Sequence, residues 1–163
     1  MDRTQSVAGK VVARLRARGG PTSTSAFLDL GGRAAVDRSL SRLAGQGRIR
    51  RTRRGLYDLP RTGSLLNQPL VPSSDRLVRA WAKGNGLRVV PSGAHAANLL
   101  GLSTQVPARI VYFTNGRTQS VRVGPYAVHL LNRGPKTMDV SGRLSPLVLQ
   151  ALRRLGRSGT TTD

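Results

Sequence analysis

Guanidinium groups are the most abundant reactive chemistry in this chain. Of its 27 basic residues, 24 are Arg and three are Lys; against them stand seven Asp and no Glu, for a net charge of +20. A guanidinium is planar, stays charged, and donates hydrogen bonds in a fork that fits a phosphate or the edge of a guanine. A field this positive favours a polyanionic partner, because each phosphate neutralised releases condensed counterions. A GC-rich coding bias accounts for part of the Arg excess but not for the scarcity of acids.

Two clusters concentrate this chemistry. From about Arg33 to Gln46, Val36, Leu40 and Leu43 recur at helical spacing. With Leu40 at the centre of the buried face, the opposite side carries Ala34, Ala35, Arg38, Arg42 and Gln46, and Ser41 lies at its border. Arg38 and Arg42 are one turn apart and project together. That suits a helix in a DNA major groove, where Arg pairs bidentately with guanine and Ala lets the backbone come close. Arg33, at the helix start, is better placed for a phosphate. The plain alternative is a solvated helix face. The second cluster follows at once: Arg48, Arg50, Arg51, Arg53 and Arg54 put five Arg within seven positions. Arg50, Arg53 and Arg54 are expected to face outward, whereas strand parity leaves Arg48 and Arg51 ambiguous. Guarding a sheet edge against aggregation would need only two or three such charges.

Catalytic chemistry is thin by comparison. There is no cysteine, which excludes disulfides, thiolate metal sites and cysteine nucleophiles. His95 and His129 are the only imidazoles and have no carboxylate near them in sequence, so each reads as a surface or satisfied core histidine. Between the linker and the tail only Asp75 and Asp139 are available, too few for a two-metal nuclease. Gly84-Asn85-Gly86 lacks the Lys-Ser/Thr that follows a phosphate loop, and no Gly-x-Ser-x-Gly elbow occurs. The expectation is a protein that is not an enzyme and uses no metal or cofactor.

The elements that must position the arginines are legible in the apolar spacing. Val7, Val11 and Leu15 predict a first helix over Ser6–Arg18, stopped by Gly19-Gly20-Pro21. Thr22-Ser23-Thr24-Ser25 offers N-caps for a short second helix carrying Ala26, Phe27 and Leu28. After the third helix, Gly47–Pro60 reads as two strands around an Arg-Arg-Gly turn, with Ile49, Tyr57 and Leu59 inward. Three helices followed by a basic hairpin is the element order of a winged helix-turn-helix. Arg61–Pro72 reads as a linker. Beyond it come a helix over Asp75–Lys83, a strand at Leu87–Val90, a helix of small residues from Gly93 to Leu100 and a last helix from Ser145-Pro146. Between the last two helices, strands flank Asn115-Gly116, a strong hairpin signal, and Tyr126–Leu131 completes an antiparallel meander.

Two stretches resemble a known family. Gly47–Pro60 resembles the end of the winged-helix domain in AbiEi-like antitoxins of type IV toxin–antitoxin systems. Pro91–Arg109 (PSGAHAANLLGLSTQVPAR) looks like the signature of a related branch of that superfamily. The resemblance implies an autorepressor that binds inverted repeats upstream of its own operon, and a C-terminal domain that counters a nucleotidyltransferase-like toxin. Read physically, Gly93, Ala94, Ala96 and Ala97 permit close helix packing, and Asn98 is placed to bond a loop. A structural corner and a binding surface both remain open for this signature.

The expected fold is therefore α+β: a winged helix-turn-helix at 1–61, a linker at 62–72, a small α/β domain with a meander at 73–156 and a disordered tail at 157–163. The expected function is a sequence-specific DNA-binding repressor of the antitoxin type. The alternative is a protein-interaction module that neutralises a toxin, with DNA binding secondary. RNA binding fits less well, because few aromatics are present to stack unpaired bases. Double-stranded DNA is the expected partner, with a cognate toxin and a homodimer on DNA as further expectations. Arg109, Arg117 and Arg122, on the second domain's strands, would extend the basic surface. No apolar run reaches the roughly 18 residues of a membrane helix and no signal pattern opens the chain, so the cytoplasm is the expected compartment.

Overall fold

In the computed structural model, which describes residues 6–63, 69–104, 108–138 and 145–158, the first apolar period forms helix α1 (Val7–Arg18). Ser6 caps it, its Oγ accepting from the Gly9 N–H at 3.3 Å. The chain is α+β and divides into two units, Met1–Gly86 and Leu87–Asp163.

In the first unit the run after α1 is not a capped α-helix. Thr22–Ser23 is extended and forms strand β1, and Thr24–Leu30 is a 3-10 segment. β1 completes a small sheet, because Thr22 and Ser23 pair antiparallel with Tyr57 and Leu56. A β-branched Thr on a buried edge gains more from the ladder than from capping, and Thr22 is buried. Helix α2 (Arg33–Gly45) follows, then strands β2 (Arg50–Arg53) and β3 (Leu56–Asp58), giving the sheet order β1-β3-β2. Gly55, at φ +76°, makes the tight β2–β3 turn possible. One core joins these elements: Ala8, Val11 and Leu15 of α1, Phe27 of the 3-10 segment, Val36, Leu40 and Leu43 of α2, then Ile49 and Tyr57. Each large side chain here contributes about 1.5–3 kcal/mol by burial.

The linker and boundary differ from expectation. Arg61–Thr62 (β4) and Pro69–Leu70 (β5) pair as a two-stranded ladder, and helix α3 (Ser74–Gly84) packs on β1 and the 3-10 segment. The sequence reading assigns α3 to the second domain. The structure gives it to the first unit, because its apolar face (Leu77, Val78, Trp81, Ala82) finds cover there. Gly84 marks how close the approach is, since a Cβ at this position would lie 2.6 Å from Ser23 Cβ. Gly84→Ala is expected to destabilise by about 1–2 kcal/mol through overpacking. At an uncrowded helix position the same change would stabilise by up to ~1 kcal/mol, so the sign of the shift in thermal unfolding decides.

The second unit holds strand β6 (Val89–Pro91), helix α4 (Gly93–Leu99), strands β7 (Ile110–Thr114), β8 (Gln119–Val123) and β9 (Tyr126–Asn132), and helices α5 (Pro135–Met138) and α6 (Ser145–Ser158). Its sheet runs β6-β7-β9-β8. The expected meander is corrected here: Asn115-Gly116 does not join a hairpin. β7 pairs in parallel with β9, and β9 forms the hairpin with β8. Side-chain chemistry explains the order. β9 supplies buried Val128 and Leu130 and belongs in the centre, whereas β8 exposes Ser120 and Arg122 and tolerates an edge. The Asn-Gly pair is held by other partners: Asn115 Oδ1 accepts from Arg88 N–H at 2.9 Å, and Asn132 Nδ2 donates to Gly116 O at 2.7 Å. α6 continues through Ser158, past the expected start of the tail at 157, while 159–163 lie outside the described residues.

Candidate nucleic-acid interface

α2 buries Val36, Leu40 and Leu43, and this alone fixes which side chains it shows to solvent. Arg33, Ala34, Arg38, Ser41, Arg42 and Gln46 are exposed, and Ala35 is half-buried. Arg38 Nε donates back to Ala34 O at 3.3 Å, which lays the side chain along the helix. Arg33 opens α2 with no acidic residue in the first turn. A cation at a helix's positive end is unfavourable by a few tenths of a kcal/mol or more. Arg33 makes an exposed i,i+4 ion pair with Asp37, Nε to Oδ2 3.3 Å, of little energetic weight.

The hairpin arginines divide by role. Arg48, Arg51 and Arg54 are exposed. Arg50 is not the outward contact that strand parity suggests. Its Nε and Nη2 donate to the two carboxylate oxygens of Asp58 at 3.0 and 2.6 Å, and Asp58 is only 4% exposed. The hydrogen bond to Asp58 raises the Arg50 pKa further above its ordinary value, against the opposing effect of burial. The register pairs Arg50 with Asp58 and Arg51 with Tyr57, and an irregularity before Arg53 re-aims that side chain. Arg53 is half-buried with its guanidinium 5.4 Å over the Trp81 ring, so it too departs from the outward expectation. A buried acid and an aromatic plane each attract a guanidinium more strongly than solvent does.

One cleft of about 260 Å³ joins the helix and the hairpin. Arg33 from the start of α2 and Arg54 from the β2–β3 turn both line it. Between them lie Ser23, Thr24 and Ser25, with Trp81 and Asn85 beside them. The Thr24 N–H donates to Gly55 O at 2.9 Å, tying the 3-10 segment to the hairpin turn, and the Ser23 and Ser25 hydroxyls are 2.7 Å apart. Two cations, hydroxyl donors and a tied loop make a surface that can hold phosphate oxygens. In the sequence these hydroxyls have the pattern of helix caps, which hides them as site groups. Trp81 is hidden for a different reason: its helix follows a linker-like stretch in the sequence, yet belongs to the first unit. At the far end of α1, Arg14 donates to Asp29 and to Ala26 O (2.7 Å). That hydrogen bond holds the Asp29 carboxyl below the usual carboxylate range.

In the second unit the register separates the three weaker candidates. Arg109 precedes β7 and Arg122 lies near the end of β8, at one end of the sheet; Arg117 leaves the opposite end of β7. The histidines are engaged: His95, buried, is 3.2 Å from the Tyr112 hydroxyl, and His129 Nδ1 is 2.9 Å from Ser120 Oγ. Ala96 and Ala97 of the Pro91–Arg109 signature pack against Leu147 and Ala151 of α6, and Asn98 Nδ2 donates to Ser103 O at 3.3 Å. Residues 105–107 of that signature lie outside the described residues. Among the described residues no group of three or more His, Asp or Glu could hold a metal ion, and no helix is long and apolar enough to cross a membrane.

Residues 9–162 match the family described as "Family of unknown function (DUF6088)", and the chain belongs to it. Comparison with curated proteins returns no match.

Proposed function

We propose that this DUF6088 member is a sequence-specific double-stranded-DNA-binding protein whose first unit is a winged helix-turn-helix. The observation that supports this most is the cleft shared by Arg33 of α2 and Arg54 of the hairpin turn. In the proposed complex α2 enters the major groove with Arg38 and Arg42 toward base edges. Arg33, Arg54 and the hydroxyls of Ser23, Thr24 and Ser25 hold the flanking phosphates, and Arg48 and Arg51 add charge along the wing. The excess positive charge supplies the sequence-independent part of the affinity. Repression of its own operon, by two protomers on an inverted repeat, follows from the resemblance to AbiEi-like antitoxins.

The test is binding to duplex DNA taken from upstream of the protein's own gene. Specific binding is expected to survive ~150 mM salt against excess unrelated duplex, where non-specific binding is weak. Arg33→Ala and Arg54→Ala should each reduce the slope of log affinity against log salt by about 1. Equal competition by unrelated duplex, or slopes unmoved in both variants, would overturn the proposal.

A second reading, in which the other unit neutralises a protein partner, is favoured by one observation. Val148, Leu152 and Leu155 of α6 are large apolar side chains on one stripe at i, i+4, i+7, and Leu152 is 58% exposed. It predicts that a neighbouring gene product co-purifies with the chain and is lost on Leu152→Asp, with DNA binding retained.

A further inference from the structure

The second unit contains an open cavity of about 790 Å³ that the DNA-binding proposal does not use. Its wall brings together Ser92, Phe113, Arg133, Gln150, Arg153 and Arg154, from the start of α4, from β7, from the segment after β9 and from α6. Three of these are guanidinium side chains, and no carboxylate lines the cavity among the described residues. The unit's whole sequence has acids only at Asp139 and Asp163, both outside the described residues. A cleft lined by one sign of charge focuses the field and raises the local concentration of anions, even where, as here, the arginine side chains are exposed.

The wall of this open cavity carries packing contacts as well as charge. Arg133 lies with its guanidinium 5.2 Å over the Phe113 ring, and its Nη1 donates to Asn132 O at 3.2 Å, contacts that favour one placement of an exposed side chain. Gly93 lets α4 press against α6: a Cβ there would lie 2.8 Å from Arg154 Cβ and 2.9 Å from Gln150 O. That close contact fixes the α6 arginines relative to the α4 side of the wall. The volume exceeds what one phosphate fills and falls within the range of pockets for small organic ligands.

We infer that this cavity binds the polyphosphate group of a small molecule, with Arg133 and Arg153 as its charge-assisted donors. The inference is independent of DNA binding by the first unit. Calorimetric titration of the full chain at ~150 mM salt tests it, with ATP and inorganic tripolyphosphate as probes. Saturable one-to-one binding of either is expected. A preference for ATP identifies a nucleotide as the source, and equal binding identifies inorganic polyphosphate. Arg133→Ala and Arg153→Ala should each weaken binding about tenfold or more, whereas Arg16→Ala, which removes the same charge from exposed α1, should leave it unchanged. Circular dichroism of each variant confirms folding. The inference fails if neither probe binds, if Arg16→Ala weakens binding as much as the cavity variants, or if Arg133→Ala and Arg153→Ala lower duplex-DNA affinity instead.

Discussion

Arg50→Met is expected to lower the stability of the first unit by about 3 kcal/mol. For a domain of this size such a loss moves the thermal midpoint by roughly 10–20 °C. The reason is the partner left behind. Asp58 is 4% exposed, and in the native protein both its carboxylate oxygens accept from Arg50. Removing the guanidinium leaves a buried carboxylate with neither water nor a cation, a situation that costs more than the pair itself contributes. The guanidinium is itself 27% exposed, which places the effect toward the lower end of the range for buried pairs. The double variant Arg50→Met, Asp58→Leu removes both charges and should recover most of the loss. Chemical denaturation of the three proteins checks this, and a single-variant loss under ~1 kcal/mol would mean the pair is screened as a surface bridge is. The outcome also separates hairpin arginines that hold the fold from those that reach solvent.

Arg38→Ala and Arg42→Ala are expected to cost about 1–3 kcal/mol each in DNA affinity, concentrated at particular base pairs. Both side chains are exposed on the face of α2 opposite Val36, Leu40 and Leu43, so their removal leaves the core untouched. An arginine that reads guanine loses two hydrogen bonds only when that guanine is present; one that holds phosphate loses the same energy on every sequence. Measuring each variant against the full set of single base-pair substitutions in the operator tells these cases apart. Loss confined to one or two positions supports α2 as the reading helix. Uniform loss with Arg38→Ala would assign it to the backbone and remove the basis for sequence readout by this helix.

Much of the first unit was legible residue by residue. The spacing of Val7, Val11 and Leu15, and of Val36, Leu40 and Leu43, marks two helices and their buried faces, because a helix of 3.6 residues per turn admits only one apolar side at that spacing. The exposed positions of Arg38, Ser41 and Arg42 follow from the same count. Thr22-Ser23 reads as a cap in the sequence because capping and strand pairing favour the same hydroxyl residues. What separates them is β3, more than thirty residues away, with Thr22 opposite Tyr57. Arg50 and Arg53 read as outward for a similar reason: neither Asp58 across the ladder nor Trp81 on α3 is a neighbour in helical or strand count. Asn115-Gly116 shows the limit of a local turn signal. Its backbone preference is local, and burying Val128 and Leu130 of β9 beside β7 outweighs it.

By itself the sequence determined the charge, the helical faces and the hairpin with its arginines, all of which depend on residue type and short-range period. Tertiary structure alone decided which cations are committed to partners within the fold and which face outward. It also decided that α3 joins the first unit, and that Arg33 meets Arg54 across a cleft. A guanidinium is identical in every sequence context. What it does depends on whether an acid, an aromatic ring or open solvent lies within a few ångströms, and only the folded chain sets that distance.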